Sequence, residues 1–216
     1  MRLLSFFMAG CDGGDKKPLL FFLAASLSIL VPVPARLAFG VMMLVAFNLQ
    51  VLFGLLFLRL IRLLGVWRLK NPLMLLEAAF AAVLAKQLFA LVCPVAAFTL
   101  GFAIFLPAFS SSLMDILFGD GNRLLREDMR SKLSLCGGFT VVALSFFLVR
   151  ELVGYGTLTV IVRRRLVALP LFGEAGDTAA CSFLASVPGA LVLLALLLAL
   201  YLAVGSRLVH LHRSAA

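Results

Sequence analysis

The run from Leu37 to Leu58 carries no charged side chain, and its length matches the roughly 20 apolar residues that a helix needs to cross a bilayer. Nothing else constrains this chain as strongly. Further runs of the same kind follow, so that 63% of the 216 residues are hydrophobic, 13% are charged and the mean hydropathy is +1.15. Average soluble domains are about half apolar and a quarter charged, and a water-soluble fold of this size could not bury the excess. Lipid offers backbone groups no hydrogen-bond partner, so only helices and closed barrels cross it. Barrel strands alternate apolar and polar residues, whereas these runs are continuously apolar. The sequence predicts an all-α integral membrane protein.

Six transmembrane helices are expected over residues 19–203, after an interfacial segment (1–18) and before a polar tail (204–216) that holds His210 and His212. Leu19 to Val33 is short and ends in Val31-Pro32-Val33-Pro34, where the missing proline donors break a helix. Leu37 to Leu58 is closed by Arg59, Arg62, Arg68 and Lys70, with Trp67 placed where an interfacial aromatic belongs. Pro72 to Leu91 carries Glu77 and Lys86; Lys86 is expected to snorkel or pair inside the bundle, in preference to a transport role. Val95 to Phe118 is interrupted at Pro107, and Ser110, Ser111 and Ser112 can serve the freed carbonyls. Ser134 to Val153 ends in Arg150 and Glu151. The connection Gly154 to Ala180, with Arg163, Arg164 and Arg165, is expected to lie along the interface. Ala185 to Ala203 closes the set, with Pro188 tolerated in its first turn. The broken first and fourth spans stand three helices apart, the spacing of two inverted three-helix repeats.

The net charge of +9 comes from basic residues grouped beside the apolar runs. They read as topology signals and not as a nucleic-acid patch. With six spans, 13 of the 19 lysines and arginines fall on the side of the termini and 6 on the other. Positive-inside bias therefore places both termini in the cytoplasm of a bacterial inner membrane. Cys11, Cys93, Cys136 and Cys181 lie far apart with no C-x-x-C spacing, which suits small buried side chains better than a disulfide framework or zinc site. The stretch Leu3 to Cys11 superficially resembles a lipoprotein signal; a segment lying on the membrane is the default expectation.

One further stretch stands out, because ionisable groups inside a span need a partner or a purpose. Arg150 and Glu151 end an apolar helix and are followed by Gly154-Tyr155-Gly156-Thr157-Leu158. The pair is expected to support the packing of that glycine turn against a neighbouring helix. This stretch resembles the R-E-hydrophobic-x-G-x-G-T-L signature of the Rnf/Nqr membrane-subunit family. It is most similar to the E-type subunit of Rnf electron-transport complexes and the D-type subunit of the sodium-pumping NADH:quinone reductase. Leu184-Ala185-Ser186-Val187-Pro188-Gly189-Ala190 resembles that family's L-x-x-x-P-P-G-A segment, and Leu100 to Pro107 its L-G-I-F-I-P-L run. The likeness extends from about Leu19 to Leu202.

The resemblance implies a non-catalytic subunit of an ion-translocating complex that passes electrons from ferredoxin or flavodoxin towards a nicotinamide or quinone side. It also implies a paralogous membrane subunit of opposite topology as partner, with a [2Fe-2S] cluster shared between the two and ligated by cysteines from each broken helix. In this chain those two cysteine positions fall at Ser26 and Leu113, with Ser112 beside the latter. No cofactor is therefore expected on this chain alone. The alternative reading is an inverted-repeat permease or transporter component without a redox cofactor.

Overall fold

Each proline-rich interruption in the sequence becomes a boundary in the three-dimensional structure, a computed structural model that describes residues 17–118, 125–162, 165–170 and 182–214. The segment containing Cys11, the glycine-rich part of the loop after Phe118, Arg163, Arg164 and Cys181 lie outside the described residues.

Helix α1 (Lys17–Ile29) is followed by α2 (Leu37–Leu64) and then by a short 3-10 turn at Trp67–Leu69. Next come α3 (Lys70–Val92), α4 (Pro94–Leu100), a 3-10 segment at Gly101–Phe105, and α5 (Leu106–Phe118). The long α6 (Leu125–Tyr155) leads into strands β1 (Thr157–Val162) and β2 (Arg165–Pro170). A single helical turn, α7 (Ser182–Ala185), precedes α8 (Val187–Ser214).

Four helical stretches among the described residues are long and apolar enough to cross a membrane: Leu37–Leu64, Trp67–Val92, Pro94–Ser112 and Lys132–Tyr155. The chain is a helical membrane protein on this evidence. The segment Val187–Leu200 is a shorter apolar stretch. Helix α1 has 13 residues, about 20 Å at 1.5 Å per residue, short of the roughly 30 Å hydrocarbon core.

Helix α2 is the hub. It packs against α3, α5 and α6, while α5 also packs on α1 and α3. The buried positions of α6, Cys136, Phe139, Ala143, Phe146, Phe147 and Arg150, recur at helical spacing, and Phe139 meets Phe47 of α2 edge to face at 5.4 Å. Asn48 of α2 bonds Thr140 of α6 at 2.9 Å, so a polar pair fixes this apolar seam in register.

Two features depart from the sequence expectation. The connection after Gly156 is not simply an interfacial stretch, because Thr157–Val162 and Arg165–Pro170 form an antiparallel hairpin that pairs Thr157 with Pro170 and Val162 with Arg165. Five of the six residues of β1 are threonine, valine or isoleucine, which fit a pleated, half-buried surface. The hairpin makes the fold mostly, not wholly, helical. It packs on α2 and α6, with Ile161 and Leu166 against the main apolar core. The second departure is the position of the break in the fourth span. It centres on Gly101, whose φ of 49° is glycine territory, and Pro107 is the second residue of the helix that follows.

Candidate functional site

Among the described residues, the most heavily bonded side chain lies where three segments end. Helix α1 stops at Ile29, and the residues after it contain Pro32 and Pro34. In a continuing helix the carbonyl of Leu30 would accept from the amide four residues on, but that residue is Pro34, which has no N–H. Pro188 stands in the same relation to Leu184. Both prolines leave a carbonyl without its helical donor, at two places far apart in sequence.

Arg150 of α6 reaches both. Its Nη1 donates to Leu30 O at 3.1 Å and to Val33 O at 2.8 Å. Its Nε donates to Leu184 O at 3.3 Å, and Nη2 to Ala185 O at 2.9 Å and Ser186 O at 3.3 Å. A guanidinium has five N–H donors in a planar fork, and here each finds a backbone carbonyl. The side chain is 1% exposed. Burying an unpaired cation would be prohibitive; this one is held by the dipoles of carbonyls at the end of α1 and around α7, the arrangement that favours positive charge.

Glu151 takes the complementary role. Its Oε2 accepts from the Leu37 amide at 2.6 Å, and Thr159 of β1 donates its hydroxyl to Oε1. Leu37 begins α2, whose preceding residue, Arg36, supplies no side-chain cap. A helix N-terminus needs acceptors and favours negative charge, so Glu151, fully buried, caps α2 from another helix. Val33 O and Leu37 N–H, four residues apart, are the two groups that an unbroken helix would have bonded to each other. Arg150 and Glu151 satisfy them one each.

The glycines bring these groups together. A Cβ at Gly154 would sit 3.0 Å from the Ala185 Cβ, so its absence lets α6 lie against α7. Gly156, at φ 63°, ends α6 in the left-handed conformation and starts β1. Sequence reasoning picked out Arg150, Glu151, Gly154, Gly156 and Pro188, and the structure gathers all five at this junction. The bonds of the pair run to the two breaks, to α2 and to β1, and none of them goes to the glycine turn itself. Thr159 and the carbonyls of Leu30 and Val33 went unnoticed, although the spacing of Leu30 to Pro34 and of Leu184 to Pro188 was a readable signal.

Pro107 lies apart and solves its break locally. The carbonyl of Ala103, four residues before it, accepts from the Leu106 amide instead, which keeps the residues before Pro107 in 3-10 geometry. Ser111 and Ser112 bond the Ala108 carbonyl at 3.0 and 2.8 Å, and Ser110 bonds Ser28 of α1 at 2.5 Å, joining α1 to α5. Lys86 is held over the Phe105 ring at 5.4 Å.

Ser26 is fully buried, with no hydrogen-bond partner for its hydroxyl. Leu113 lies in α5, its side chain outside the described residues. Iron-sulfur clusters are held by thiolates. A neutral hydroxyl and a hydrocarbon do not supply them, and among the described residues no three His, Cys, Asp or Glu side chains gather as a metal site. Cys93 and Cys136 are buried within the main apolar core. A hydroxyl and a hydrocarbon at the two positions do not fit a [2Fe-2S] cluster.

No protein-family model, no curated protein and no solved structure matches this chain. Its functional reading rests on its own residues.

Proposed function

We propose that this chain is a membrane subunit of an Rnf-type ion-translocating electron-transport complex, contributing a braced helical core and no electron carrier of its own. The observation that supports this reading is the placement of the R-E-x-x-G-x-G run. The residues that carry the resemblance are also those that hold the broken segments together, through Arg150 and its five carbonyls. On this reading α1 with α2 and α3, and the interrupted α4–α5 with α6 and α8, are two inverted halves. Both termini face the cytoplasm of a bacterial inner membrane, and a paralogous subunit of opposite topology packs alongside. The test is purification of the tagged chain from native membranes in mild detergent. Flavin-carrying and iron-sulfur subunits should accompany it in fixed ratio; an ATPase, or the chain alone with a bound solute, would contradict the proposal.

A second reading, an inverted-repeat permease component without a redox cofactor, draws on Gln50. This residue lies near the middle of α2, is 2% exposed, and has no partner for either amide atom. Intramembrane polar groups of this kind mark substrate pathways. Under the redox reading Gln50 is only a cost, and Gln50→Leu should stabilise the purified protein by about 1–3 kcal/mol, the penalty of an unmet polar group. Loss of solute uptake in reconstituted vesicles carrying that variant would favour the permease.

A further inference from the structure

A groove runs down the outer side of the bundle between α2 and α3. Its cavity of about 560 Å³ is lined by Phe53, Leu56, Phe57 and Leu60 from α2 and by Leu76, Glu77, Phe80 and Ala81 from α3. The i, i+3, i+4, i+7 spacing on α2 makes those four one stripe, and the volume falls within the range of small-molecule sites. Leu56, Leu60, Leu76 and Phe80 are exposed, so the groove opens towards acyl chains. That alone would not select an occupant.

Charge at one end does. The connector between the two helices brings Arg62 and Lys70 to the same indole, each 5.0 Å from the centre of the Trp67 ring. Arg59, beside Leu60, and Arg68, beside Trp67, are exposed at the same end. The groove begins almost at once: Leu60 precedes Arg62 by two residues, and Leu76 lies about 9 Å along the α3 axis from Lys70. Tryptophan favours the headgroup level, which sets the cations at the depth of lipid phosphates. Glu77, 9% exposed, lies about 10 Å along α3 from Lys70 and is the one acid lining the groove.

We propose that this groove binds one anionic phospholipid, the phosphate held by the cations around Trp67 and one acyl chain lying between Phe53, Phe57 and Phe80. Basic pockets between transmembrane helices recognise anionic head groups in this way. A zwitterionic lipid brings its own cation to the cluster and gains less.

Trp67 is the chain's only tryptophan and stands inside the proposed head site, so it reports occupancy directly. The full chain is reconstituted into phosphatidylcholine vesicles containing a small, equal fraction of either phosphatidylglycerol or phosphatidylcholine with brominated chains, and quenching of Trp67 is measured. Brominated phosphatidylglycerol should reach half-quenching at about a fivefold lower fraction, the worth of one cation near a membrane surface. Arg62→Gln combined with Lys70→Gln, which removes both cations held at the Trp67 ring, should abolish that preference, and Lys86→Gln should keep it. Equal quenching by the two lipids in the wild-type protein would overturn the proposal without any variant having to fold. So would a preference that survives the double substitution, or a Leu56→Cys, Leu76→Cys protein that cross-links copy to copy at this face whatever the lipid.

Discussion

The proline-associated interruptions of this bundle are resolved in two opposite ways. At Gly101–Phe105 the chain repairs itself locally: a glycine at positive φ turns the backbone, and Leu106 takes over the Ala103 carbonyl that Pro107 cannot serve. At Pro32–Pro34 the repair comes from residues more than a hundred positions away, with Arg150 on the carbonyls and Glu151 on the amide of Leu37. The same guanidinium serves the residues before Pro188. A locally repaired break bends one helix, whereas a remotely repaired one welds three segments and concentrates the vulnerability in one side chain.

The sharpest way to break this contrast is Arg150→Met. It leaves five carbonyls in a buried site without the donor they now have, and should destabilise the detergent-purified protein by about 3–5 kcal/mol, the usual result of removing one side of a buried charged network. Arg150→Lys should recover only part of this, because an ammonium has three donors for five acceptors. Thermal unfolding measured side by side for the three proteins checks both statements.

Glu151→Gln comes next. One of the two carboxylate oxygens becomes an NH₂ facing a donor, either the Leu37 amide or the Thr159 hydroxyl, and about 1–3 kcal/mol should be lost. Assembly into the proposed complex should fall with it. Wild-type unfolding and assembly in this variant would remove Glu151 from the account.

The local break should respond least. Gly101→Ala forces an L side chain towards positive φ at about 1–2 kcal/mol. Pro107→Ala should stay within about 0.5 kcal/mol, since the bond that proline displaced is already replaced by Leu106. If Pro107→Ala proved as damaging as Arg150→Met, the distinction between the two kinds of break would be false.

Much of this was legible in the sequence, for a physical reason: apolar length and proline position act along the chain itself. The uncharged run at Leu37 and the break at Pro32–Pro34 could be read directly, as could the oddity of an adjacent arginine and glutamate inside apolar sequence; the break at Ser186 could not, because Pro188 reads as an ordinary first-turn proline. The partners of that pair could not, because a remote carbonyl has no side-chain signature; only the i to i+4 relation of Leu30 to Pro34 and Leu184 to Pro188 hinted at acceptors in need of a donor. The hairpin at Thr157 was hidden differently. Its β-branched residues were visible, but in an otherwise helical membrane chain the apolar character of the stretch outweighed its β propensity. The groove between α2 and α3 depends on two helices meeting side by side, which no single helix pattern contains.

The most direct test of the central claim is hydrogen exchange by mass spectrometry, comparing the wild-type protein with Arg150→Met in the same detergent. Exchange reports local opening segment by segment. If one guanidinium ties the two breaks together, amides in 30–40 and in 183–192 should both lose protection in the variant, while those in 101–107 stay as they were. Loosening confined to one of the two breaks, or spread evenly through all three segments, would contradict it.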